Sequence, residues 1–182
     1  MTSTLRFDKW ESTAGENFNP VVQVKTVILS SDGVMSSATS WTTITDGTTP
    51  MSTSFTPKLL NSLIKVEWQL QAVTNAADPV TWCAPFKNED SMYTNESTGM
   101  LGTFNIGDAW KLTYGGVGDT NLINTFSGHW IETNSSLSVR TYSLRVKTRS
   151  GDFFVNRSQS NTASQNYSTK GRSILTITEM AQ

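Results

Sequence analysis

The chain contains a single histidine, His129, and one cysteine, Cys83. Nucleophilic triads and most zinc sites draw on a histidine, so a hydrolase would have to use His129. No Gly-x-Ser-x-Gly elbow accompanies it, and Trp130 beside it reads as part of a strand edge. Paired carboxylates could serve a glycosidase, with Glu89, Asp90, Glu96, Asp108 and Glu132 as the available acids. Tyr114-Gly-Gly-Val-Gly-Asp119 has the glycines of a phosphate loop. It lacks a following helix and the Gly-Lys-Ser/Thr that would bind phosphate and metal. No Asp-x-Asp-x-Asp calcium loop is present. One cysteine forms no internal disulfide and no zinc cluster, and Cys83 reads as a small buried side chain. The expectation is therefore no catalytic residue, no metal and no cofactor.

Six tryptophans give the other chemistry. Trp82, Trp110 and Trp130 lie near loops, where an aromatic face can stack on a sugar or another flat partner. A large amphipathic ring also fills a sandwich core or a subunit interface, and both readings stay open.

Several elements must position these residues. Ile64, Val66, Trp68 and Leu70 alternate with Lys65, Glu67 and Gln69, the period of a strand with one buried and one wet face. One wet face is typical of antiparallel sheets. Each buried apolar side chain contributes roughly 1.5–3 kcal/mol. Upstream, Pro57 closes a Ser52–Thr56 strand because it has no N–H to donate. Val21–Leu29 reads as a strand, and Asp32-Gly33 as a hairpin-type turn. Trp41–Thr45 is another short strand and Asp46-Gly47 another turn. Val80–Ala84 and Ala109–Tyr114 could be strands, and His129–Glu132 a short one. Tyr142, Leu144 and Val146 face one side of a later strand, Ser150-Gly151-Asp152 turns the chain, Phe153–Val155 starts the return, and Gly171–Met180 is the last strand. No segment carries a helical period. The predicted class is all-β, an antiparallel β-sandwich of jelly-roll or Greek-key type.

A chain of 182 residues is long enough for one domain with a real core. Its net charge of −1 leaves no electrostatic footprint for nucleic acid. Charged residues make up 16%, with Ser, Thr and Asn taking their place, as suits a β-protein. No apolar run reaches the ~18 residues of a membrane span, and the N-terminal stretch has no signal-peptide h-region, so no membrane insertion is expected. Residues 1–18 stand apart, with Leu5, Phe7 and Trp10 interleaved with Arg6, Asp8 and Lys9. An isolated strand cannot bury its own face. This segment reads as an attachment arm or first strand, and 19–182 as a single domain.

Several stretches carry a family resemblance. Val21-Val-Gln-Val24, Ser54-Phe-Thr-Pro-Lys58 and Ser62-Leu-Ile-Lys-Val66 resemble a module of bacteriophage virion proteins with a Q-V strand, S-I-T-P-K and S-K-I-L-V. Tyr142-Ser-Leu-Arg-Val146, Asn156-Arg157 and Gly171-Arg-Ser-Ile-Leu-Thr-Ile-Thr-Glu-Met180 resemble its closing portion, G-x-S-x-I-x-V-M-E. Residues 4–15 are similar to the short leader of small virion proteins. The resemblance covers about half the chain. Leu59-Leu60-Asn61 replaces the family's Ser-rich gap, Trp68 stands in an otherwise aliphatic strand, and 75–135 matches no part of the pattern. The resemblance implies a tail-fibre or appendage component of the virion of an aquatic-bacterial phage, including the cyanophages. It also implies self-association, most simply as a homotrimer, and contact with other tail or capsid proteins. Capsid decoration is the alternative within that class. A carbohydrate-binding module, recognising for example a host surface glycan, is the alternative outside it, and a β-sandwich glycosidase or lyase is the enzymatic one.

Overall fold

The computed structural model describes residues 21–36, 38–74, 81–88, 90–91, 123–148, 151–157 and 171–182. These form eleven strands: β1 (Val21–Leu29), β2 (Gly33–Met35), β3 (Thr42–Thr43), β4 (Ser52–Phe55), β5 (Leu63–Thr74), β6 (Thr81–Lys87), β7 (Asp90–Ser91), β8 (Asn124–Thr133), β9 (Arg140–Thr148), β10 (Phe153–Val155) and β11 (Ser173–Met180). They make two antiparallel sheets, one six-stranded and one five-stranded. The class is all-β, as the period-2 patterns require.

The long strand β5 organises the first sheet. Along one edge it pairs with β8, from Leu63↔Thr133 to Ala72↔Asn124. Along the other it pairs first with β11 and then with β10. β1 extends the sheet beyond β11, and β2 extends it beyond β10. In the second sheet β9 is central, with β6 on one side and β3 and β4 on the other. One core joins the two sheets. Ile64, Val66, Trp68 and Leu70 enter it from β5, Leu175 and Ile177 from β11, and Tyr142, Leu144 and Val146 from β9. The alternation of β5 and β9 thus gives the inward face correctly, and Cys83 is buried as expected.

Three local expectations are corrected. Asp32-Gly33 reverses the chain but makes no hairpin, because β1 pairs with β11 while β2 pairs with β10. Gly33 is the first residue of β2, and a Cβ there would lie 2.6 Å from the Asp46 Cα, so close backbone approach is what requires glycine. Likewise, β10 returns along β5 and β2 rather than along β9. His129–Glu132 is not a short strand but part of a ten-residue one, β8, which pairs with β5 alone among the described strands.

Buried polar residues tie the strand ends. Asn156 has φ of 59°, in the left-handed region that asparagine tolerates. Its Nδ2 donates to the carbonyls of Leu29 (2.8 Å) and Ser31 (3.0 Å), and its Oδ1 accepts from Ser173 Oγ at 2.7 Å. The Asp46 carboxylate accepts from the N–H groups of Thr48, Thr49 and Ser31, which fixes the Asp46-Gly47 turn against the start of β2.

Candidate functional site

The outer face of the first sheet is built from alternate residues of four strands. Lys65, Glu67 and Gln69 of β5 stand opposite Ile131, His129 and Ser127 of β8. On the other side they stand opposite Thr178, Thr176 and Ile174 of β11, which in turn face Val24, Thr26 and Ile28 of β1. The face is broad, hydroxyl-rich and dotted with exposed Val24, Ile28 and Ile131. An open cleft of about 450 Å³ lies on it, lined by Glu67, Gln69, Ser127, His129, Ile174 and Thr176 together with Trp68 and Gly128. Glu67 is held by Lys65, with Nζ 2.7 Å from Oε1. This lining offers a carboxylate, an amide, hydroxyls and an imidazole, a set that suits hydrogen bonding to a polar partner. His129, weighed in the sequence as a catalytic residue, therefore lies on an exposed sheet face.

The acid groups that point inward hold the fold. Glu179 is fully buried at the end of β11. Its carboxylate accepts from Gln23 Nε2 (2.6 Å), the Lys58 N–H (3.0 Å), the Leu59 N–H (2.9 Å) and Ser62 Oγ (2.8 Å). Burial pushes the Glu179 carboxyl up, but these donors outweigh it and hold the group below its ordinary range. Glu132, projecting from β8, reaches the second sheet. Its Oε1 accepts from Tyr142 Oη (2.7 Å) and Arg140 Nη1 (3.4 Å), and its Oε2 from Lys87 Nζ (2.6 Å). Burial and then the Glu132 carboxylate push the Tyr142 phenol strongly up, so it stays protonated and donates. Glu132, named above among the acids that could serve a glycosidase, thus bonds across the two sheets.

Of the tryptophans singled out, Trp130 is partly buried on the inner side of β8 and packs against the core and against Ala84 and Phe86. Trp82 is part of β6, paired with Lys147, and its side chain lies outside the described residues. Trp110, the arm residues Leu5, Phe7 and Trp10, and the acids Glu89, Glu96 and Asp108 also lie outside them. Trp82, Trp110 and Trp130 are therefore not assembled into one described site. The sequence reading missed the cleft itself. Its signal was the outward parity of Glu67 and Gln69, but the strands completing it come from far along the chain.

Among the described residues no group of three or more His, Cys, Asp or Glu side chains could hold a metal ion. No helix long and apolar enough to cross a membrane occurs among the described residues. No protein-family model matches the chain, and no curated protein matches it.

Proposed function

We propose that this chain is a non-enzymatic virion structural protein, a tail-fibre or other surface-appendage component. In this reading it is a self-associating β-sandwich of jelly-roll or Greek-key type, most simply a homotrimer, assembled into the particle after synthesis in the bacterial cytoplasm. Residues 1–18 are its attachment arm. The observation that carries the reading is the Glu179 latch. The Thr-Pro-Lys stretch ending at Lys58 and the closing Thr-Glu-Met around Glu179 both carry the virion-protein resemblance, and one buried carboxylate bonds to Lys58 across 121 positions of sequence. Short strand-compatible motifs recur by chance; two that meet through one buried carboxylate behave as one structural unit. The inward use of Glu132 and Glu179 and the broad outer face also favour assembly over catalysis.

Quantitative mass spectrometry of purified particles from the phage encoding this chain tests the reading through copy number. A small ratio to the major capsid protein, matching tail symmetry, is the expected result. A ratio near one per capsid subunit makes the chain a decoration protein, and absence from the particle overturns both.

The polar cleft favours carbohydrate binding as a second reading. A glycan array comparing the parent with Glu67→Ala, Gln69→Ala and His129→Ala variants tests it. Equal signals throughout count against it.

A further inference from the structure

Two connections cross between the sheets at the end of the molecule where β1 begins. Residues 56–62 leave β4 at Phe55 and enter β5 at Leu63, while residues 134–139 leave β8 at Thr133 and enter β9 at Arg140. Phe55 pairs with Arg140 and Leu63 with Thr133, so the two connections run side by side in opposite directions. They are bonded to each other. The Asn61 N–H donates to the Asn134 carbonyl (2.8 Å), and the Asn134 N–H to the Ser62 carbonyl (2.7 Å). The buried Asn134 amide also donates to the Leu59 carbonyl. Glu179 holds the first connection from inside, and Arg140 holds the second through Asn134 Oδ1 (2.7 Å) and the Ser136 carbonyl (2.6 Å).

This fixed backbone displays large aliphatic side chains. Leu59 is 42% exposed, Leu60 57%, Leu137 48% and Val139 65%. Loops are ordinarily polar at the surface, and aliphatics held outward on a preorganised scaffold are the makings of a docking site.

The start of β1 indicates what reaches it. Val21 pairs with Met180, and Met180 with Leu63, so β1 begins two strand spacings, roughly 10 Å, from the first connection. Twenty residues precede Val21, among them Leu5, Phe7 and Trp10. The ten residues between Trp10 and Val21 can span up to about 35 Å. A segment tethered so close meets the surface at an effective concentration in the millimolar range, which favours it over a free partner.

We propose that Leu5, Phe7 and Trp10 of the same chain dock on Leu59, Leu60, Leu137 and Val139. The inference does not depend on the virion reading and is tested on the free protein.

The test is disulfide trapping in the full chain. Phe7→Cys or Trp10→Cys is combined with Leu60→Cys or Leu137→Cys, positions exposed enough to tolerate the change. Native Cys83, 2% exposed, stays out of the reaction. Thr125→Cys, at the far end of β8, replaces the loop position in the control. Under mild oxidation of dilute protein, an intramolecular disulfide forms in at least one loop pairing and several-fold faster than in the control. A covalent dimer in its place overturns the proposal in favour of exchange between copies. Trapping no faster than the control overturns it outright. A second measurement needs no cysteine. Leu60→Asp with Val139→Asp should raise amide hydrogen exchange in residues 4–10 several-fold, and an unchanged rate overturns the proposal.

Discussion

Glu179 and Glu132 are both turned inward, yet they act differently. Glu179 binds neutral donors from β1 and from the 58–62 loop, so its removal unties that loop. A Glu179→Gln substitution keeps the shape but aims an amide N–H₂ at donors, and should cost roughly 1–3 kcal/mol in urea unfolding at neutral pH. Because the folded carboxyl sits below its ordinary value of 4.5, its stabilisation is complete above that pH. It is lost as the pH falls below 4.5 and through the lowered folded value. Asp46, also held low against burial by its backbone donors, adds a similar loss below its ordinary 3.8. The parent's stability should therefore drop on acidification, and Glu179→Gln should show a shallower acid limb. Glu132 instead offsets charge. Its removal in Glu132→Ala leaves the largely buried Arg140 and Tyr142 short of their shared acceptor, with an expected loss of roughly 3–5 kcal/mol. Tyr142→Phe, which deletes one donor and keeps the ring packed edge-on to Phe55 at 6.1 Å, should cost only about 1 kcal/mol.

At the scale of elements, the short strand β2 is placed by what its first residue lacks. Gly33→Ala would push a methyl into the backbone of Thr45 and Asp46, and this overpacking should cost about 1–3 kcal/mol, visible as a lowered melting temperature. The strand β1 shows how a sheet margin is managed. Its register shifts between Val21 and Gln23, a bulge-like irregularity. Its inward residues include Gln23 and Lys25, whose side chains donate to the carbonyls of Thr56 and Ser54. Irregular register and inward polar groups both discourage indiscriminate strand addition. The same contacts bind β1 to the β4 side of the sandwich.

For the whole molecule, the proposed assembly makes the outer face of the first sheet the surface to perturb. Ile131→Lys and Val24→Lys change exposed side chains and should leave the melting temperature within a few degrees of the parent. If that face joins copies, light scattering should show loss of the oligomer; an unchanged mass would move the contact elsewhere. Deleting residues 1–16 should leave a folded domain that no longer enters particles, and normal incorporation would remove the arm from the assembly scheme.

Local alternation was enough to read the inner and outer faces of β5 and β9, since side chains two apart share a face whatever the partner strand is. It also placed Ile64, Val66, Trp68 and Leu70, and Tyr142, Leu144 and Val146, in the core. The same rule holds the hint that Glu179 points inward, on the parity of Leu175 and Ile177, but the alternation does not supply the donors that make a buried carboxylate tolerable. Those come from Gln23 and residues 58–62, brought close only by pairing across the fold. The sequence shows only the end of β8, because Ser127 is polar and Gly128 is bare, so residues 124–128 carry little apolar contrast. The turn dipeptides marked reversals, but the pairing of β10 depended on the distant edge of β5, and that of β2 on the edge of β10. Tertiary structure alone decided those pairings, the cleft on the outer face and the meeting of the two loops, because each is a relation between strands that no single stretch of chain contains.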